Sequence, residues 1–159
     1  MNGVQTDLAQ WLKLRARVEP RHLRPGERGT LVVEAEIPAG CHIEAHEPSE
    51  PFLVPTELSP DPIEGVTIGP PRYPPAKQKR FDWSPAVLRV YEGSVRFEAP
   101  VEVEATAAAG PRTIHGQLRY QGCTPAACLM PAVQAVEAKL DIAPEGNKRP
   151  KGKSDAASL

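Results

Sequence analysis

Proline limits what this chain can become more than any other residue. Nineteen prolines are scattered over 159 residues, from Pro20 to Pro150. Each fixes φ and lacks an N–H, so each breaks a helix interior and is tolerated in a sheet only at edges, ends and bulges. No segment of ten or more residues carries a helical period. What recurs between the prolines is alternation of apolar and polar residues, the signature of a half-buried strand. Leu12, Leu14, Ala16 and Val18 alternate with charged residues up to Pro20, and Leu31, Val33, Ala35 and Ile37 do so up to Pro38. Val101, Val103 and Ala105, then Ile114, Leu118 and Tyr120, then Val136, Ala138, Leu140 and Ile142 repeat the pattern. Thr56-Glu57-Leu58, Val66-Thr67-Ile68 and the run from Leu88 to Phe97 supply further short strands. Roughly eight or nine strands separated by turns predict an all-β fold, a two-layer antiparallel sandwich of immunoglobulin-like type. The Cys-Trp-Cys arrangement of antibody domains is absent, so the architecture alone is implied.

The expected domain runs over 12–143, with a lead-in over 1–11 and a polar, basic tail or linker without periodicity over 144–159. A formal charge of −1 gives no reason to expect nucleic acid or an anionic membrane as partner. No apolar run approaches the roughly 18–20 residues of a membrane span. The first residues lack the basic head and apolar core of a signal peptide. Read literally, that start points to the cytoplasm. Gly69 to Pro85 reads as a long ordered loop, because it gathers Tyr73, Phe81 and Trp83 among prolines. Its Lys77–Arg80 cluster reads as solvated.

Of three cysteines, Cys123 and Cys128 stand four residues apart on a turn-forming insert at a strand end. Pro125 bends that insert enough to let the two meet in a disulfide. The pair is open to two readings, a structural bridge or a redox-active one. So short a loop restricts the unfolded chain little, which favours function over stapling. Neither Thr124 nor Pro125, Ala126 or Ala127 is cationic, so nothing local activates a thiolate. The insert therefore suits a relay activated by its partner rather than a general nucleophile. Cys41 falls on the strand face of Ile43 and Ala45 and is expected to be buried and inert. His42, Glu44 and His46 share the opposite face, where imidazole and carboxylate could hold zinc or copper. The plainer reading of that face is an exposed polar strand surface. Tyr91 and Tyr120 read as core or rim aromatics.

Tyr120-Gln121-Gly122-Cys123, with Cys128 and Pro131, resembles the active-site segment of the N-terminal periplasmic domain of the thiol:disulfide interchange protein DsbD family. Pro38-Ala39-Gly40-Cys41-His42-Ile43, Val54-Pro55-Thr56-Glu57-Leu58, Tyr73-Pro74 and Val90-Tyr91-Glu92-Gly93 resemble the same family in the same order. The resemblance spans roughly residues 12 to 142. It implies an immunoglobulin-like fold and a periplasmic domain that relays electrons by transient mixed disulfides. Its partners would be a membrane-embedded reductase with a thioredoxin-like domain, and thioredoxin-fold and cytochrome-maturation proteins downstream. It implies no cofactor and no metal. By position, Cys128 would form the mixed disulfides and Cys123 would resolve them. Phe81 and Trp83 fall where the family carries an aromatic loop over its disulfide, although the match there is not literal and one residue fewer separates the cysteines. Two other readings stand beside this one: a non-catalytic binding module with a structural disulfide, and a metal-binding protein using His42 and His46.

Overall fold

A computed structural model describes residues 11–83 and 86–144, together with the backbone of Lys153–Ser154 and Ala156–Ser158. Apart from Trp11, the expected lead-in lies outside the described residues, as does most of the tail. The two short tail segments pair with each other in parallel. Among the described residues there is no helix, and none therefore that could cross a membrane.

Eleven strands form two sheets. They are β1 Lys13–Glu19, β2 His22–Leu23, β3 Arg28–Glu36, β4 His42–Glu44, β5 Glu57–Pro60, β6 Val66–Ile68, β7 Lys77–Lys79, β8 Leu88–Tyr91, β9 Ser94–Val103, β10 Gly110–Cys123 and β11 Cys128–Ile142. The first sheet runs β1-β3-β9-β6 and the second β2-β11-β10-β4-β8-β7, with β5 also paired to β10. Every pairing is antiparallel except that of β2 with β11. The predicted immunoglobulin-like sandwich is the observed one.

Alternation explains the core. In the β3–β9 ladder Leu31 stands opposite Ala99 and Val33 opposite Phe97, and all four are buried. From the second sheet Ile114, Leu118, Tyr120, Val136, Ala138 and Leu140 pack into the same cluster. Burying one such side chain is worth about 1.5–3 kcal/mol. Charged partners on the alternate positions face water, as Arg17 does between Glu19 and Glu34.

Three departures from the expected layout shape the surroundings of the cysteine loop. Gly69 to Pro85 is not loop throughout, because Lys77–Lys79 adds to the edge of the second sheet beside β8. Its lysines suit an edge, where charge discourages further strands from adding. The closing strand begins at Cys128 rather than near Val136, so β10 and β11 form one long hairpin that ends in the cysteine loop. Finally, the polar face of β4 is not exposed: His42, Ile43 and Glu44 are all buried. Ile43 belongs to the core between the sheets. His42 and Glu44 point the other way, yet Leu53, Leu88 and Val90, with Phe81 and Trp83 packed on them, form a small second cluster.

Candidate functional site

The tip of the β10–β11 hairpin carries a disulfide between Cys123 and Cys128. The two residues face each other in the ladder, with Cα atoms 3.9 Å apart. Thr124 N donates to Ala127 O at 2.9 Å and closes the loop between them. Thr124 Oγ1 accepts from the N–H groups of Ala126 and Ala127. A bulge between Gln121 and Cys123 shifts the register just before the bridge. Bulges of this kind re-aim side chains at the ends of strands.

Packing makes the two sulfurs unequal. Cys123 is 0% exposed, whereas Cys128 is partly exposed. Beside Cys128 lie Leu129, Met130 and Pro131, and Met130 is 72% exposed. An apolar lip thus borders the more exposed of the two cysteines.

Anchors on the core side hold the tip in place. Tyr120 is buried, its hydroxyl donates to Gln134 Oε1 at 2.5 Å, and burial pushes its phenol up to about 12. Trp11 stacks on Tyr120 with ring centroids 6.1 Å apart. Gly122 lets the Trp11 ring pack closely, since a Cβ there would meet three Trp11 ring atoms at 2.5–2.9 Å and push the ring away. Gln121 ties two other elements to the bridge. Its Oε1 accepts from Val54 N at 2.9 Å and its Nε2 donates to Leu129 O at 3.1 Å.

On the opposite face lies a group that alternation alone does not reveal. Cys123 is paired with His42 across the β10–β4 ladder, and Glu44 lies two residues further along the same face. Glu44 Oε2 is 3.4 Å from Cys123 Sγ and 3.5 Å from His42 Nε2. Glu44 is 0% exposed and its Oε1 has no hydrogen-bond partner, nor has His42 Nε2. The donor atoms of His42, Glu44, Cys123 and Cys128 all lie within 4.8 Å of one another. Phe81 stacks on the His42 ring at 4.5 Å, and Trp83 stacks on Phe81 at 5.4 Å. The aromatic loop therefore covers the imidazole that borders the disulfide.

Two expectations change here. His46 does not join His42: it stacks on Tyr73 at 3.7 Å, and its Nδ1 lies 2.9 Å from Thr56 O. The strand face that carried both on paper ends at Glu44, where β4 stops. Cys41 is a free thiol packed on the core but only partly buried, because it precedes β4 instead of lying within it. Desolvation pushes that thiol up from its ordinary value. It lines a groove together with Lys79, Arg80, Phe81, Glu92 and Pro125.

Comparison with known proteins adds three findings. The sequence model described as the N-terminal region of the thiol:disulfide interchange protein DsbD matches residues 9–140. No curated protein matches the chain significantly. Among solved structures, the N-terminal periplasmic domain of ScsB from Proteus mirabilis is 17% identical with a TM-score of 0.50, covering 82% of this chain and 46% of that one. The chain thus spans less than half the length of that relative, and the likeness is one of fold. The DsbD N-terminal domain of Neisseria meningitidis in its reduced form is 20% identical with a TM-score of 0.46, covering 84% of this chain and 86% of that one. A type I cohesin of ScaB from Pseudobacteroides cellulosolvens is 8% identical at a TM-score of 0.48, covering 82% and 92%.

Proposed function

The chain belongs to the family of N-terminal domains of the thiol:disulfide interchange protein DsbD, and from that premise we propose that it is a periplasmic relay domain passing electrons through Cys123 and Cys128. The family's chemistry is thiol–disulfide exchange. The donor in this reading is a membrane-embedded reductase or its thioredoxin-like domain, and the acceptors are thioredoxin-fold proteins downstream.

What carries the reading is the unequal exposure of the two sulfurs, with Cys123 at 0% and Cys128 partly open beside Met130. Exchange proceeds by in-line attack on one sulfur while the other leaves, so access decides which one is attacked. A donor thiolate attacks Cys128 Sγ, the S–S bond breaks, and Cys123 leaves with the electron pair and takes up a proton. The donor's second thiolate then attacks its own sulfur in the mixed disulfide and releases Cys128 as a thiolate. In the outgoing half, Cys128 attacks the acceptor's disulfide, and Cys123 attacks Cys128 to free the reduced acceptor. Two electrons enter and two leave.

Phe81 and Trp83 are the cap in this scheme. Support comes from the stack of Phe81 on His42, the residue paired with Cys123. A bridge left bare would exchange with any small thiol. The cap has to be held weakly, because the free energy of its closure is subtracted from partner binding.

The test is trapping. Cys123→Ser should accumulate a mixed disulfide through Cys128 with a thioredoxin-fold acceptor, and Cys128→Ser should not. Equal trapping by both variants on a non-reducing gel would overturn the assignment of roles. No trapping by either, with both variants folded, would overturn the relay.

A further inference from the structure

We propose that the reduced form of this chain binds one zinc ion through Cys123, Cys128, His42 and Glu44. The inference rests on the relay reading only in needing a disulfide that can be reduced.

Two buried atoms motivate it. His42 and Glu44 are 1% and 0% exposed, yet His42 Nε2 and Glu44 Oε1 have no hydrogen-bond partner. Buried polar atoms are nearly always satisfied, and a buried carboxylate needs a positive partner. Both side chains face the same sulfur, with Glu44 Oε2 3.4 Å from Cys123 Sγ. A cation among these four groups would give His42 Nε2 a partner and the buried Glu44 carboxylate a positive charge.

Two of the separations are those of a tetrahedral zinc site. Zinc binds sulfur at about 2.3 Å and nitrogen or oxygen at about 2.0–2.1 Å, which sets an imidazole nitrogen and a carboxylate oxygen about 3.3 Å apart, and an oxygen and a sulfur about 3.6 Å apart. The observed separations are 3.5 Å for His42 Nε2 to Glu44 Oε2 and 3.4 Å for Glu44 Oε2 to Cys123 Sγ. The remaining donor atoms lie within 4.8 Å of one another, and the sulfurs, being bonded, stand too close for a tetrahedron. Cleaving that bond lets them part to the roughly 3.8 Å a tetrahedron requires. Reduction therefore completes the site. Neighbouring strands β4 and β10 fix three of the ligands, and the partly exposed Cys128 leaves a way in from solvent. Two thiolates with an imidazole suit zinc, and the hard carboxylate disfavours copper(I).

Binding balances simply. The S–S bond takes up two electrons and two protons to give two thiols, and Zn²⁺ then replaces both thiol protons, which leave to solvent. A zinc-held dithiolate has no free thiolate with which to attack an acceptor. Zinc and onward transfer thus exclude each other.

The experiment uses the full chain reduced with a water-soluble phosphine, which leaves as its oxide, so that reduction needs no physiological donor. Thiol counting confirms the reduced state before Zn²⁺ is added against a chromophoric chelator. One equivalent should bind to reduced protein and none to oxidised protein. Glu44→Gln, which keeps the shape and removes the charge, should weaken zinc by at least about tenfold, since changes outside the ligand set already cost about 10–100-fold. Cys41→Ser should leave the affinity unchanged. Co²⁺ in the reduced wild-type chain should show the intense visible bands of tetrahedral geometry with thiolate charge transfer, a readout that does not depend on any variant folding. Absence of binding to reduced protein, equal binding to oxidised protein, unchanged affinity in a folded Glu44→Gln chain, or an octahedral Co²⁺ spectrum would each overturn the proposal. None of these would touch the relay, which the trapping experiment tests separately.

Discussion

Replacing Gln121 with alanine separates access to the disulfide from stability of the fold. The Gln121 amide accepts from Val54 N at 2.9 Å and donates to Leu129 O at 3.1 Å. It therefore fastens the segment carrying Leu53, which packs in one cluster with Phe81 and Trp83, to the strand that starts at Cys128. Each lost bond is worth about 1 kcal/mol net, so the pair amounts to about 2 kcal/mol. If that loss falls on local opening, the open population rises by up to about 30-fold, at about 1.4 kcal/mol per factor of ten. The assay is the rate of reduction by dithiothreitol, followed by release of thiols, beside a urea unfolding curve for the oxidised protein. Tyr73→Phe is the control: it removes the acceptor of a 2.9 Å bond from Leu58 N in β5 and keeps the ring. That variant should lose about 1 kcal/mol and reduce at the wild-type rate. A Gln121→Ala chain that loses stability yet reduces no faster would refute the claim that this fastening limits access.

Three other outcomes are expected. Phe81→Ala/Trp83→Ala should speed reduction by dithiothreitol while melting stays cooperative; an unchanged rate would make these rings packing for Leu53, Leu88 and Val90 alone. In a Cys123→Ser/Cys128→Ser background, Cys41 should be alkylated measurably, since it is partly exposed, but with a pH midpoint above that of a free thiol because desolvation raises it. No labelling of the native chain would restore the fully buried placement. Acid stability should depend on Arg17, whose guanidinium holds the carboxyls of Glu19 and Glu34 below their ordinary 4.5. Groups lowered in this way contribute stability above that value and lose it as pH falls through their folded range. Arg17→Gln should therefore flatten the decline of unfolding free energy below about pH 4.5, and a decline as steep as the wild type's would exclude the triad as its source.

The strand ladder was readable from the sequence because a β-strand alternates with a period of two, and each buried strand of the core carries that alternation in its own residues. Leu31, Val33 and Ala35 name the inner face of β3 with no reference to any other part of the chain. The cysteine loop was equally local, since its two sulfurs meet across a turn of four residues. The short strands at His22–Leu23 and Lys77–Lys79 were missed for the same reason. Neither has an apolar alternation of its own, and each exists because a neighbouring strand offers a free edge.

Only the tertiary structure decided which faces would be covered. Alternation put His42 and Glu44 together on one side of β4 and could not say whether water or protein lay above them. Phe81 stacks on His42 and Trp83 on Phe81, and both pack on Leu53 from another connection and on Leu88 and Val90 of β8. The tertiary structure likewise decided that Cys123 is sealed and Cys128 open, a difference that a motif of two identical residues does not contain. Period fixes which side chains share a face. Burial of that face depends on what the rest of the chain lays over it, and the zinc site proposed at His42, Glu44 and the two sulfurs depends on that burial.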